Sequence, residues 1–495
     1  MQRTYIQPSW KVDKEKNMDS LFIKQFVDPS LGNSSYLIAS KQSGIAAVID
    51  PQRDIDKYLQ AADELGLRIA YSLETHLHND FVSGSLELAD ILGPSDTFRI
   101  GASATAGLQY EHRPLSEGDL ISLGGISIRV IETPGHTPDH ISYIVYNQHT
   151  DTPTTLFSGG SLVVGGVGRS DLLGEDQRAS LTRAQFHTLH EKLLKLPDEV
   201  IVYPTHGSGS FSITPSSKER VTSIRQERRI NPFAQVYSEE AFVKRAQIVP
   251  FSYPAYYRYM PGINKEKRDV IGGVPSLAAL SPHEVRKQRD YHGAVVIDVR
   301  SARDFSAGHI PGSYGIPLLT PLVTWAGWVV PFGSPVVLVA DSPEEREEAS
   351  RQLIRIGYDD LRGYVDGGLE AWGGAELPIS HWTLVSAPRL LNWLHRKTEA
   401  PLLLDVRQYG EWAQGHIDGA RHIEVGSLAQ AAHTFQWKDQ PIVVHCARGN
   451  RSTIALSILE QEGFRNLFAL EDGFSSWANA GYEIIHGEVN YASRP

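Results

Sequence analysis

The chain of 495 residues has one cysteine, Cys446, and three methionines. A single cysteine excludes an intrachain disulfide, and any thiol chemistry must pass through that residue. Positive charge is also short: 47 Lys and Arg stand against 58 Asp and Glu, a net charge of −11. That balance argues against a nucleic-acid partner and against a basic membrane-binding surface. No apolar run approaches the ~20 residues of a membrane span. The opening segment, MQRTYIQPSWKVDKEKNMDS, has no apolar signal-peptide core. A cytoplasmic protein with no nucleic-acid and no membrane partner is expected. Hydrophobic residues at 41% and charged residues at 21% suit folded units. At roughly 150 residues per domain, the length allows about three.

Residues 1–17 read as a polar extension, with Met18 as a second start, and 18–262 as the first domain. Within it short β-type runs alternate with helical patterns: IAAVID (45–50), LRIAYSLET (67–75), ISIRVIETPG (126–135) and EVIVYPTHG (199–207). Each run ends in or near a polar turn bearing His or Gly, where layered α/β folds place their chemistry. Residues 216–247 read as charged and helical, SYPAYYRYMPG (252–262) as a packed surface between domains, and 263–276 as a linker. The second half is an internal repeat. IDVRSARDFSAGHIPGS (297–313) matches LDVRQYGEWAQGHIDGA (404–420), and VDGGLEAW (365–372) echoes LEDGFSSW (470–477). Two units of about 100 residues follow, at 277–379 and 383–490.

Thr75-His76-Leu77-His78-Asn79-Asp80-Phe81 places alternate histidines and an aspartate on one turn. His136 in PGHT and His206 in PTHG each follow another apolar run. Neutral imidazoles suit zinc or iron, and two histidines with one carboxylate suit non-haem Fe(II) with positions open for oxygen. Any one of these histidines alone reads as a surface or core residue; four of them at strand-end turns read as a metal site. The segments THLHNDF, TPGHTPDH, FSGGSLVVGGVGRSDL (157–172) and YPTHG, with ERRINP and PAYYRYM, resemble the metallo-β-lactamase superfamily over about residues 20–260, and within it the persulfide dioxygenase branch. The resemblance implies an αββα sandwich and one Fe(II), with zinc as the alternative, oxidising a thiol persulfide with O₂ to sulfite. In that branch the iron ligands fall on His76, His136 and an aspartate of an F-T-G-D segment. Here that segment reads Phe157-Ser158-Gly159-Gly160, and Phe81 replaces the last histidine of the superfamily hallmark. Losing both disfavours a two-zinc hydrolase and leaves the third ligand open among His78, Asp80, His206 and Asp171. Asp171 is expected to pair with Arg169 or cap a turn instead.

Cys446-Ala447-Arg448-Gly449-Asn450-Arg451-Ser452 follows the strand PIVVH and precedes a helical run. A loop folded round the sulfur aims backbone N–H groups at it, and the helix starting near Ser452 adds its positive end. Both favour a nucleophilic thiolate, and Arg448 and Arg451 supply charge for an anionic sulfur donor. This loop, with Asp405-Val406-Arg407 and Gly415–Ala420, resembles the rhodanese family over about 385–487, which implies that Cys446 carries sulfane sulfur as a persulfide. Asp405 and Arg407 are expected to be an ion-paired strand end. The first repeat, about 280–377, keeps DVR and GHIPGS but reads Ala340-Asp341-Ser342-Pro343 at the loop and cannot form a persulfide; Trp325, Trp328 and Phe332 are expected in core or interdomain contacts.

Together these readings predict a lactamase-like α/β sandwich followed by two rhodanese-like α/β domains, acting in sulfide or persulfide metabolism. Its partners would be a low-molecular-weight thiol persulfide such as that of glutathione, O₂, and thiosulfate or sulfite, with a homo-oligomer left open. Catalytic roles are expected for Cys446, Arg448, Arg451 and Ser452. Arg225, Arg228 and Arg229 are the candidates for drawing an anionic substrate to the first domain. Three alternatives stand: a sulfurtransferase on an inactive lactamase-like scaffold, a mononuclear thioester hydrolase of glyoxalase II type, and a sulfur sensor modified at Cys446.

Overall fold

A computed structural model describes residues 21–93, 97–147, 152–214, 217–246, 253–396, 400–436 and 438–486. The polar extension and Met18 lie outside the described residues. In the first domain β1 (Leu21–Asp28), β2 (Asn33–Ser40), β3 (Ile45–Ile49), β4 (Arg68–Leu73), β5 (Arg99–Ser103) and β6 (Arg113–Leu115) form one six-stranded sheet in sequence order. The second sheet uses β7 (Leu120–Ser122), β8 (Ile126–Glu132), β9 (Ile141–Asn147), β10 (Pro153–Gly159), β12 (Ile201–Pro204) and β14 (Thr222–Ser223) in the order β14-β12-β10-β9-β8-β7. The strands β11 (Val167–Gly168) and β13 (Ile213–Thr214) pair separately. Alternation along each strand decides what faces what. Tyr36 and Ile38 of β2 meet Ile126, Ile128 and Val130 of β8 between the sheets. Leu37 and Ala39 point the other way, under helix Asp56–Glu64. The other face of the second sheet, Ile144, Leu156 and Val202, is covered by Phe186 of helix Glu175–His187 and by Leu189 and Leu193 just after it. The result is the αββα sandwich.

The two repeats fold alike. The second domain orders β15 (Ala279–Leu280), β19 (Leu361–Val365), β18 (Val336–Val339), β16 (Val295–Asp298) and β17 (Tyr314–Gly315) in one parallel sheet. The third repeats that order with β20 (Thr383–Val385), β24 (Leu467–Leu470), β23 (Ile442–His445), β21 (Leu402–Asp405) and β22 (Arg421–His422). The paired motifs have a shared cause. Arg300 bonds the Asp298 carboxylate and, through Nη2, the Gly308 carbonyl at 2.8 Å. Arg407 does the same with Asp405 and Gly415, again at 2.8 Å. D-V-R and G-H-I thus belong together because one arginine ties the strand end to the next loop, which is the ion pair expected for Asp405 and Arg407.

One apolar core runs through all three domains, joining Phe81, Tyr256 and Met260 to Val323, Ala326 and Tyr358, and on to Val425, Leu428 and Cys446. Helix Met260–Lys265 and an ion pair of Arg268 with Glu87 (2.6 Å) give structure to the first part of the segment read as a linker. The 216–247 region holds helices Ile224–Ile230 and Glu239–Ala246. Among the described residues no helix is long and apolar enough to cross a membrane.

Candidate metal centre and cysteine loop

Four strand ends converge at one edge of the sandwich. The loop after β4 carries Thr75, His76, His78 and Asp80; the turn after β8 carries His136; β10 ends at Gly159 and Gly160; β12 runs into Thr205 and His206. All four histidines are buried. A nitrogen from each of His76, His136 and His206 comes within 4.8 Å of the other two.

Hydrogen bonds assign the tautomers. Thr75 Oγ1 donates to Asp50 Oδ2 at 2.8 Å, so it accepts the Nδ1–H of His76, also at 2.8 Å. His136 Nδ1–H donates to the Arg169 carbonyl at 2.7 Å. His206 Nδ1 faces two acceptors, Asn33 Oδ1 at 3.1 Å and Asp80 Oδ2 at 3.4 Å. Each Nε2 therefore carries a lone pair. That of His136 is buried without a partner, and those of His76 and His206 face each other at 3.4 Å. Burial and the neighbouring imidazoles push His76 well below its ordinary value; burial, then His206, takes His136 down to about 3. Three imidazoles, each oriented by an outer partner and aimed inward, suit a divalent transition metal. Zinc and iron both fit this donor set.

His78 enters two further candidate ligand sets, with Asp50 and His76 and with Asp80 and His206, and is itself flanked by carboxylates. Its Nε2 lies 3.1 Å from Glu74 and 3.3 Å from Asp50. Burial would lower its pKa, but those carboxylates push it up to about 10. Asp80 spends Oδ2 on Asn33 Nδ2 (2.8 Å) and His206, while Oδ1 is buried with no protein partner. Burial opposes the Asp80 charge, yet His206 and Asn33 hold its carboxyl at about 2. Phe81 stacks on His78, ring centroids 4.2 Å apart. At position 160 a Cβ would stand 2.7 Å from His136 Cγ and 3.0 Å from Nε2, so the imidazole occupies the space a side chain would need. A pocket beside His76 is walled by Glu74, Leu77, Tyr110, Asp139 and Asn264.

In the third domain Gly449 N–H donates to Cys446 Sγ at 3.1 Å, and the sulfur sits at the mouth of helix Asn450–Gln461. The DGF turn braces the loop from behind: Phe474 N–H bonds the Cys446 carbonyl at 2.7 Å and Ser475 Oγ the Ala447 carbonyl at 2.8 Å. Gly473 sits at φ 59°, where a Cβ would also strike the Ala447 carbonyl carbon at 2.9 Å, which explains the glycine. Arg451 makes a bidentate pair with Glu411 at 2.6 and 2.8 Å. Arg448 is exposed, and Ser452 is buried with its hydroxyl unpartnered. Arg451 borders a cleft of about 370 Å³ whose other walls are Phe211 of the first domain, Trp325 and Trp328 of the second, and Gln408 and Glu424 of the third.

Comparison with known proteins bears on these sites. Residues 29–206 match the model of the metallo-beta-lactamase superfamily, and 281–375 and 386–480 each match the rhodanese-like domain. The chain is a metallo-beta-lactamase domain fused to two rhodanese-like domains. The human mitochondrial persulfide dioxygenase ETHE1 is 29% identical over 48% of this chain and 88% of its own length. A hydroxyacylglutathione hydrolase, GloC of Haemophilus influenzae, is 28% identical over 38% of this chain and 86% of its own. A metallo-beta-lactamase crystal structure from Staphylococcus aureus superposes with a TM-score of 0.61 at 28% identity, covering 70% of this chain and 98% of that one.

Within the lactamase domain the geometry draws His206 together with His76 and His136, gives His78 two carboxylate partners, and sets Asp80 behind His206. Asp171 pairs with Arg169 at 2.7 Å. Arg225 and Arg228 pair with Glu199 and Asp198 on the surface, and Arg229 is exposed. Sequence reasoning missed Asp50, Thr75 and Asn33, which hold the histidine tautomers, and His140, which stacks on His76 (4.8 Å, 17°) and accepts the Gly160 N–H at 2.9 Å. The only available signal was position: Thr75 precedes the first hallmark histidine, and Asp50 ends β3. The tyrosine stretch lies between domains. Phe332 of the second domain stacks on Tyr259 at 4.5 Å, and Trp328 meets Phe211 at 6.1 Å.

Proposed function

We propose that the protein oxidises a low-molecular-weight thiol persulfide with O₂ at a single iron, and couples that oxidation to sulfane-sulfur transfer at Cys446. The observation that carries this reading is the pair Phe81 and Gly160. An aromatic ring and a bare backbone stand where a two-metal centre of the superfamily needs a histidine and a bridging carboxylate, while three inward Nε2 atoms remain for one metal. The similarity to a persulfide dioxygenase and the presence of a cysteine loop in the same chain both support a sulfur substrate.

His76, His136 and His206 would hold the metal. Bound there, Fe(II) supplies the electron transfer that activates O₂ toward the persulfide sulfur. The chain's own residues do the rest. Asp50 through Thr75, the Arg169 carbonyl, and Asn33 with Asp80 keep the three Nδ1 protons in place, and the buried walls exclude bulk water. The balance is RSSH + O₂ + H₂O → RSH + SO₃²⁻ + 2H⁺. At the other site the Cys446 thiolate attacks the outer sulfur of a persulfide, giving Cys446–S–S⁻ and RSH; sulfite then takes that sulfur, giving thiosulfate and the free thiolate. Gly449 N–H steadies the sulfur anion, and Arg448 and Arg451 attract the anionic partners.

Oxygen uptake by Fe(II)-reconstituted protein supplied with glutathione persulfide tests the reading, with His76→Ala as control. Uptake lost in the variant, with thiosulfate lost in Cys446→Ser, is expected. Sulfur transfer without any uptake, with this or another carrier such as coenzyme A persulfide, would favour the second reading: a sulfurtransferase on a catalytically silent lactamase scaffold, which Gly160 in place of the carboxylate supports. Zinc-dependent thioester cleavage without O₂ would favour the hydrolase.

A further inference from the structure

The second domain has no cysteine, and its loop equivalent to the Cys446 loop carries Asp341, Glu344 and Glu345. Its helix Pro343–Arg355, the counterpart of the helix behind Cys446, is turned to another use. Arg355 is buried at the end of that helix and reaches into the lactamase domain. It bonds Asp54 through Nε (2.9 Å) and Nη2 (2.6 Å), and Asp28 through Nη1 (2.9 Å). Its carbonyl accepts the N–H of Val82 at 2.7 Å. Two residues earlier in the same strand-end loop, the carbonyl of Asp80 accepts the hydroxyl of Tyr256 at 2.7 Å. The Tyr256 ring lies directly on Gly327 of helix Leu322–Val329, where a Cβ would overlap the ring. Glycine weakens a helix interior relative to alanine, so this glycine has a packing reason: it lets the helix backbone bear on Tyr256.

The segment Asp80-Phe81-Val82 is thus fastened at both ends by the second domain, directly at Val82 and through Tyr256 at Asp80. Phe81 between them is fully buried in the core shared by the three domains. Asp80 in turn stands 3.4 Å from Nδ1 of His206. We propose that the cysteine-less rhodanese-like domain is a supporting wall of the metal centre, with Tyr256 as a positioning residue that sets Asp80 and, through it, His206. Phe81, at the place of a superfamily metal ligand, serves here as the anchor of that docking. This inference rests on His76, His136 and His206 holding a metal.

Cobalt(II) titration of the apo full chain, followed by its visible absorption and by chelator competition, tests it. Tyr256→Phe removes one buried hydroxyl and Gly327→Ala pushes the ring aside. Both are expected to weaken cobalt binding on the order of tenfold, as lost outer partners do, and to shift the absorption bands. Arg303→Ala, which cuts an exposed ion pair of the second domain with Glu471 of the third (3.1 Å), should leave both readouts at wild-type values. Cobalt affinity and spectrum unchanged in both Tyr256→Phe and Gly327→Ala would overturn the proposal while leaving the metal site standing. A wild-type chain that takes up no cobalt would overturn both. Should Gly327→Ala fail to fold, Tyr256→Phe alone decides.

Discussion

Nε2 of His206 lies 3.4 Å from Nε2 of His76, and on both rings the Nδ1 proton is already committed to another partner. Two lone pairs facing each other in a buried site repel unless a cation lies between them. His206 is therefore expected to be as necessary as His76. His206→Ala protein, loaded with Fe(II) and passed through a desalting column, should retain little metal by elemental analysis. Asn33→Ala, which frees the His206 ring but leaves its nitrogen, should bind roughly tenfold more weakly. Full metal retention in His206→Ala would remove it from the ligand set.

Gly160→Asp is the substitution that would restore the carboxylate of the persulfide dioxygenase pattern. It is not expected to help. Its Cβ would press on His136 at 2.7 Å from Cγ, and Gly168 also packs close to that ring, a Cβ there standing 2.7 Å from Nδ1. Overpacking of this kind costs about 1–3 kcal/mol, so a lower melting temperature and lower metal content should appear together. A variant that binds iron more tightly than the parent would show that His136 moves freely.

The candidate-site motifs were legible in the sequence because they are local. His76, His136, His206 and Cys446 each follow an apolar strand, and the D-V-R repeat exposed both rhodanese-like units. The third ligand was ambiguous because His78, Asp80 and His206 are all polar residues at strand ends, and their three-dimensional partners leave no local mark in the sequence. Glu74 and Asp50 flank His78, and Asn33 engages one carboxylate oxygen of Asp80. The docking of the second domain was not legible at all. Arg355 and Asp54 stand far apart in the sequence, and no periodicity announces a buried pair across a domain boundary. PAYYRYM showed that an aromatic surface was present, but not that one of its hydroxyls holds Asp80.

The Arg355 pair also fixes a pH response. Burial opposes the Asp54 charge, but Arg355 and Lys57 hold its carboxyl at about 2, and Asp28 is lowered through Arg355 as well. A carboxyl depressed in the folded state contributes stability above its unfolded value, ~3.9, and loses it as pH falls through the folded value. The domain interface should therefore be intact at pH 5 and fail between about pH 4 and 2. Arg355→Met takes the shared guanidinium from two buried carboxylates, leaving Asp54 with Lys57 at 3.2 Å and Asp28 with its neutral hydrogen-bond donors, and should cost about 3–5 kcal/mol at neutral pH. Melting temperature followed from pH 6 to pH 3 checks both: the parent should fall steeply at the acid end, and the variant should start lower with a shallower slope.

Trp328 bridges the other two domains. It projects from the second domain over Gly426 of the third, where a Cβ would meet its ring at 2.8 Å, and it faces Phe211 of the first domain edge-on at 76°. It thus closes the cleft beside Arg451 without touching the histidines. Trp328→Ala opens that cleft to solvent and removes an aromatic wall of the kind whose loss at a contact centre costs about 2 kcal/mol or more. Metal content and oxygen uptake should stay at parental levels, while kcat/KM for sulfur transfer at Cys446 falls on the order of tenfold or more. Cys446→Ser should abolish that transfer outright and also leave oxygen uptake unchanged. Equal losses of both activities in Trp328→Ala would mean that the cleft serves the metal centre too, and that sulfite and persulfide reach each other through it.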